Sequence, residues 1–477
     1  MFDTVFTSIG STTQIFRVHN PNNGEVNISS IRLARGSSSF YRLNVDGATG
    51  TAGKIYTNVQ IAAKDSMYIF VQVTINPNYD PVKSPFIYRD SIIFELNGNT
   101  QYFNLTAFGQ NAYYHFPTQI ITNFNNNTQA IYYSLDTNVN GAVSITWKND
   151  KPHLIYGFVV VDSLHHLTIS ANTHIYVHNT NGGSGIWVYR HGTIQINPTG
   201  TSTTTAVTFQ GDRLEQEYKD VPGQWGRIWI NEGSANNIIN YAIIKNAFIG
   251  VQASYSTFDG SSNNVVNFSM ARHLTISNTI IQNCSRTGVF GYFYTITGDN
   301  NVVVNCGQNI LEFDDGGSYS FHQCTFANYW NQTNNSTSSS ARTTPSFNFN
   351  NYNGSQILLF DTLHFGNCIF DGTLAEEFNF DTLAQSGGFT TPYSFDHCTL
   401  KTGLLSANSL HTYTCQVGQP SLSFDNPSAY NFDISQNNSS AAYQKGGTNI
   451  SAKGGYTVDI NGHTPTGTFP NIGAYQQ

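Results

Sequence analysis

The chain has 477 residues and a formal net charge of −8; 10% of its residues are charged, 39% hydrophobic and 14% aromatic. That length exceeds one ordinary globular core, and the apolar content excludes disorder. The acidic balance leaves no nucleic-acid footprint, and no run of about 18 apolar residues offers a membrane span.

Met1 to Val5 has neither a basic nor an apolar leader region. The surface is rich in Asn, Thr, Ser, Gly and Tyr rather than charge, so an exported protein whose signal has been removed is the expectation. The six cysteines do not decide between an exported and a cytosolic protein, because their spacing follows the repeat and contains no CxxC pair.

Residues 1–110 read as short strands between turn signals. Gln14 to His19 alternates polar and apolar residues and stops at Asn20-Pro21; Val26 to Leu33 and Tyr68 to Ile75 follow. Ser91 to Leu96 and Gln101 to Leu105 flank Asn97-Gly98, a hairpin signal. About seven such strands predict an Ig-like β-sandwich. Residues 111–150 are strand-like but irregular, and predict a junction and an N-terminal cap.

Residues 151–477 carry a repeat, clearest between Arg272 and Asp315. Ile239 to Val251, Ile276 to Val289 and Asp299 to Ile310 each hold a β-branched run, an Asn, a small residue or Cys, then Gly or Asn before another apolar residue. His322-Gln323-Cys324, Gly366-Asn367-Cys368 and Asp396-His397-Cys398 are shorter echoes. A period in the twenties with Asn/Gly corners predicts a stacked solenoid. The fold class is therefore all-β, a sandwich followed by a right-handed parallel β-helix of about a dozen coils. Residues 331–354 break the period as a loop insertion, and Asn471 to Tyr475 closes a C-terminal cap.

Alignment of the coils stacks Asn246, Asn283 and Asn305, and Cys284 on Cys306. Asn in such corners satisfies backbone groups, and Cys there is a small buried hydrophobe, so a structural ladder of reduced thiols is predicted. His153, His165, His166, His174, His178 and His191 cluster early. His174 and His178 lie about 13 Å apart on one strand, too far to share a metal ion easily, so they read as polar surface. The best carboxylate group is Glu312, Asp314 and Asp315. Two carboxyls across a cleft would serve hydrolysis, whereas a hydrogen-bonded turn with a solvated face is the plainer reading. The alignment sets Glu312 beside Gly291 and Ala253, and Asp314 beside Phe293 and Tyr255. Tyr255, Tyr292, Tyr294 and Trp330 offer aromatic faces for sugar, on a surface expected to be open to solvent; ordinary packing is the alternative. No Ca²⁺-binding acid cluster with an adjacent Lys or Arg base can be assembled from these coils, so no metal or other cofactor is expected.

Several stretches resemble a family of surface lipoproteins of Bacteroides-type bacteria, with an N-terminal Ig-like domain and a right-handed parallel β-helix of pectate-lyase-like fold. They are Phe2 to Gly10, Asn44 to Gly47, Asp65-Ser66, Asn97 to Asn99, Ala107 to Gln110, Val221 to Gly226, Phe365 to Gly372 and Asn471 to Tyr475. The resemblance implies display at the outer membrane or cell surface, with membrane attachment only through a lipid anchor outside this sequence. It implies no settled activity, and fold alone supplies none. Arg190-His191-Gly192 is only a fragment of the motifs that polygalacturonases of this fold carry. Three functions follow as alternatives: a non-enzymatic surface protein binding glycan or another envelope component, a polysaccharide lyase or glycoside hydrolase, and an assembly partner of another surface protein.

Overall fold

The computed structural model describes residues 2–476 except 51–52, 80–85, 123–129, 181–182, 255–270, 331–341, 354–355, 359, 384–392, 408, 410, 435–438, 449–457 and 466–467. The chain divides into two compact units, one of residues 1–113 with 214–219 and one of 114–213 with 220–477. The described regular structure is β-strand with short 3₁₀ turns.

The first unit is a two-sheet sandwich. One sheet orders Thr4–Phe6, Asn99–Gln110, Phe86–Leu96, Val26–Leu33 and Tyr56–Ile61; the other orders Gln14–His19, Ser66–Val73, Tyr41–Val45 and Ala48–Thr49. All described pairings are antiparallel except Thr4–Phe6 on Asn99–Gln110. The hairpin forms at Asn97-Gly98, where both residues have positive φ, 50° and 76°, as a tight two-residue turn requires. Ile31, Ile92 and Leu105 from one sheet meet Leu43, Ile69 and Val71 from the other in one buried cluster.

The second unit is a parallel β-solenoid with three ladders of strands. The first runs from Ile131–Leu135 through Phe158–Val161, Gly185–Val188, Arg227–Asn231 and Ile249–Ser254 to Phe378–Asp381. The second runs from Val143–Trp147 to Thr412–Tyr413. The third is a sheet of eleven described strands; the ten from His153–Tyr156 to Gln416–Val417 fall one to a coil and set the count at ten coils among the described residues, where about a dozen were expected. Parallel pairing already begins at Ile131–Leu135, inside the stretch read as irregular, and Gln119–Ile121 pairs antiparallel with that strand. Inward side chains form one continuous core. It is mainly Val and Ile in early coils and becomes phenylalanine later, with Phe313, Phe321, Phe349, Phe365, Phe370 and Phe395 all buried.

The corners explain the repeat. Asn246, Asn283 and Asn305 take φ of 62°, 56° and 52° between the third ladder and the first. Asn tolerates this left-handed conformation because its short amide bonds locally. Asn283 Nδ2 donates to Asn246 Oδ1 at 2.8 Å and to the Asp220 carbonyl at 2.9 Å. Asn305 Oδ1 accepts the Tyr329 N–H at 2.9 Å. Cys284 and Cys306 follow at this corner. A different corner, from the second ladder to the third, holds Asn278, Asn300, Gln323, Asn367, His397 and Thr414, all with positive φ. The echoes at Cys324, Cys368 and Cys398 belong there, and Cys415 continues them. They are thus not shortened copies of the Cys284 corner. All six thiols are free and buried. The Cys368 and Cys398 N–H groups point at the sulfurs of Cys398 and Cys415, 3.3 and 3.4 Å away.

The C-terminal segment departs from the expected cap. Phe432, Ile460, Ala474 and Tyr475 pack on Val302, Val304 and Ala327, the outward side chains of the third ladder. Gly473 N–H donates to the Asn367 carbonyl and Gln323 Nε2 to the Asn471 carbonyl, at 2.8 and 2.7 Å. The tail therefore covers a flank of the solenoid.

Candidate functional site

Strands alternate their side chains, so the inward Ile228, Ile230, Val251, Val289, Leu311 and Phe313 of the first ladder leave a second set facing out. In register, one outward column reads Trp187, Trp229, Gln252, Phe290, Glu312, Asn348, Asn379. Its neighbour reads Asn231, Ser254, Tyr292, Asp314. Glu312 thus lies beside Phe290 and Gln252, and Asp314 beside Tyr292 and Ser254. This corrects the alignment by one residue. Cys284 and Cys306, each six residues before Phe290 and Glu312, are in register, whereas Gly288 and Asn309 are one residue out of step. A one-residue slip exchanges inner for outer residues, and it had set Glu312 on inward positions.

Glu312 is 7% exposed. Its Oε1 accepts from Arg286 Nη2 at 2.6 Å and its Oε2 from Thr287 Oγ1 at 2.6 Å. The Arg286 guanidinium also lies 5.4 Å from the Phe290 ring centre. Asp314 is half-buried, and its Oδ1 accepts from Asn348 Nδ2 at 3.2 Å. The hairpin of Tyr352–Asn353 and Gln356–Ile357 ends at Leu358, which packs on Phe293 and Tyr292 beside this carboxyl. Burial, then the negative charges of Glu312 and Asp315, push Asp314 up to about 7 against the pull of Arg286 and Asn348. Asp315 has φ 58° and sits at the corner to the second ladder, 5% exposed. Further along, Asn379 Nδ2 donates to Asn348 Oδ1 at 2.8 Å, and the Tyr352 hydroxyl bonds Asp381 at 3.0 Å.

The structure gathers Tyr292, Glu312 and Asp314 but separates the other candidates. Tyr294 begins the second ladder and is fully buried, its hydroxyl donating to the Asn231 carbonyl at 3.2 Å. This corrects the expectation of an open face: the turn at Phe293, φ 45°, reverses the alternation and sends Tyr294 into the core. Trp330 lies at the corner from the third ladder to the first, two residues after Asn328, whose Oδ1 accepts its N–H at 3.3 Å. Tyr255 lies outside the described residues, as do 331–341 and 354 of the 331–354 insertion; its described part rejoins the first ladder at Phe347–Asn350. The early histidines have separate partners: His165 with Asp136 and His178 with Asp212, both at 2.7 Å. Among the described residues no group of three or more His, Cys, Asp or Glu could hold a metal ion.

Arg227, Trp229, Gln252, Arg286 and Thr287 escaped the sequence reading. The signal existed for two of them: Arg227-Ile228-Trp229-Ile230 alternates, which puts Arg227 and Trp229 on one face.

The raised Asp314 predicts a pH-dependent stability with a definite sign. Its folded pKa exceeds the unfolded one, so the folded state holds the proton longer. Stability falls as pH rises from about 4 to about 7, then levels. Asp314→Asn removes this penalty, up to about 4 kcal/mol above neutrality. The variant should melt higher than wild type at pH 8 and alike at pH 4. Parallel melting curves against pH would exclude the burial effect.

No protein-family model and no curated protein matches the chain. Among the solved structures that show similarity are two glycoside hydrolases. One is a family 123 glycoside hydrolase from Clostridium perfringens, studied for glycolipid glycan hydrolysis: 12% identity, TM-score 0.17, covering 24% of this chain and 26% of that one. The other is the catalytic unit of a thermostable GH87 α-1,3-glucanase from Streptomyces thermodiastaticus: 10% identity, TM-score 0.27, covering 81% of this chain and 66% of that one. The chain thus spans about a quarter and just under two thirds of their lengths. At such scores neither likeness bears on function, and the fold rests on the strand pairings above.

Proposed function

We propose that the protein is a non-enzymatic, surface-displayed glycan-binding solenoid, and that the outer side of its first ladder receives the glycan. One observation carries this reading. Trp229, Phe290 and Tyr292 alternate along that side with Gln252, Ser254, Glu312, Asp314, Asn348 and Asn379. Sugar rings take an apolar face and a set of hydroxyl partners; the three partly exposed rings offer the first, and Asp314, Asn348 and Asn379, which are not buried, offer the second. Successive coils repeat at about 4.8 Å, close to the rise of one sugar unit in an extended glycan. Display at a bacterial cell surface through a lipid anchor is part of the proposal; it is supported by the resemblance of Phe2 to Gly10 and Asn471 to Tyr475 to surface lipoproteins.

A polysaccharide panel, titrated calorimetrically, tests it. Tyr292→Ala should weaken binding about three- to tenfold with no product formed. Absence of binding to every glycan would sink the reading and favour an assembly partner. A hydrolase is the second reading, favoured by Asp314 keeping its proton near neutrality beside Glu312. Reducing ends or unsaturated products abolished by Asp314→Ala would replace binding with catalysis.

A further inference from the structure

We propose that Arg227 is the anchor of an anion site on this face, so that the glycan bound is an acidic one, held by a carboxylate or sulfate ester. The inference rests on the glycan-binding reading of the first ladder.

Two arginines approach this face in the same way and end differently. Arg286 reaches the next coil and meets Glu312, forming a charge-balanced pair at 2.6 Å. Arg227 also reaches the next coil, but its Nη1 meets the neutral Gln252 Oε1, at 2.5 Å. Among the described residues Arg227 has no ion pair, and Gln252 is its one side-chain hydrogen-bond partner. A guanidinium carries five N–H donors, and none of its other nitrogens is sealed from solvent without a partner. Its positive charge is crowded as well: burial and then Arg286 pull Arg227 down to about 10. A partly desolvated charge without a counterion is costly, and an incoming anion offsets that cost.

The surroundings fit a sugar acid better than a bare ion. The guanidinium lies 5.6 Å from the centre of the Phe248 ring, which keeps its plane fixed for a two-pronged contact with a carboxylate or sulfate. Trp229 is partly exposed two residues along the same strand, and its Nε1 is held by Ser254 Oγ at 2.7 Å. Trp187 stacks on it at 4.8 Å between ring centres. Gln252 and Ser254, the register partners of Trp229 and Asn231 on the next coil, are buried, 8% and 5% exposed. Arg227 and the partly exposed Trp229 thus lie on the same side of one strand.

The test titrates the full chain with polygalacturonate, which carries carboxylates only, dextran sulfate, which carries sulfate esters only, and neutral laminarin, at low and high salt. Preference for an acidic polymer, weakened by salt, is expected; which acidic polymer binds separates carboxylate from sulfate ester. Arg227→Gln should lose about tenfold or more in that affinity. Gln252→Glu is the sharper variant. It leaves Arg227 in place and supplies the missing counterion, as Glu312 does for Arg286, so acidic binding should fall similarly while the melting temperature holds or rises. Equal binding of laminarin and the acidic polymers, or acidic binding unchanged in both variants, overturns the anion site and leaves the glycan-binding face standing. No binding of any of the three overturns both.

Discussion

Arg342→Ala is expected to destabilise the solenoid by about 3–5 kcal/mol, because it leaves a buried carboxylate without its counterion. The Arg342 and Glu377 side chains are both 0% exposed. Their contact is two-pronged, Nη1 to Oε2 at 2.9 Å and Nη2 to Oε1 at 2.6 Å. Glu377 also accepts from Ser346 N at 3.1 Å, Ser346 Oγ at 2.6 Å and Leu374 N at 2.8 Å. Arg342 adds the carbonyls of Thr344 and Asn328. The pair therefore ties the end of Thr325–Asn328, a strand of the third ladder, to the start of Phe347–Asn350, the strand that carries Asn348 to Asp314. Arg342→Lys keeps the charge and loses the fork, so an intermediate loss should follow. Denaturant unfolding of the solenoid transition measures both. A cost under about 1 kcal/mol for Arg342→Ala would mean that Glu377 is solvated or protonated once its partner is gone.

Phe365→Ala should cost a similar 3–5 kcal/mol, through a cavity rather than a charge. Phe365 is fully buried. Its ring stacks between Phe321 and Phe395, at 5.8 and 5.3 Å, and meets Phe370 edge-on at 5.0 Å. Three coils thus lose a shared ring at once. Repeat arrays transmit such losses mainly to neighbouring coils. Hydrogen exchange should therefore quicken from about residue 311 onward and stay slow around Val177 and Ile196. Equal loosening of the early coils would show that the solenoid unfolds as one cooperative unit instead.

How much of this was legible varies by residue. The all-β class was, because Asn-rich corners and β-branched runs report local backbone preferences, and these hold in any context. Asn246, Asn283 and Asn305 were picked out from sequence and sit in left-handed corners. The two Cys patterns could not be told apart, since both corners ask for the same thing: a residue that tolerates positive φ, then a small buried one. Only the pairing of ladders assigned Cys284 and Cys306 to one corner and Cys324, Cys368, Cys398 and Cys415 to the other.

For the candidate site the division is sharper. Sequence alone singled out Tyr292, Glu312 and Asp314, because acids and rings among alternating apolar residues are visible as a pattern. The side on which each falls depends on a register fixed to one residue, and the corner at Phe293 breaks the period between Tyr292 and Tyr294. Arg227 shows the same limit from the other direction. By itself it is one arginine among 21 Lys and Arg residues. Its meaning arises only when coil stacking brings Gln252, 25 positions later, against its guanidinium, and Glu312 against that of Arg286. Local sequence determines which residues can bend and which must be buried; the partner of a charge is decided by what the next coil places beside it.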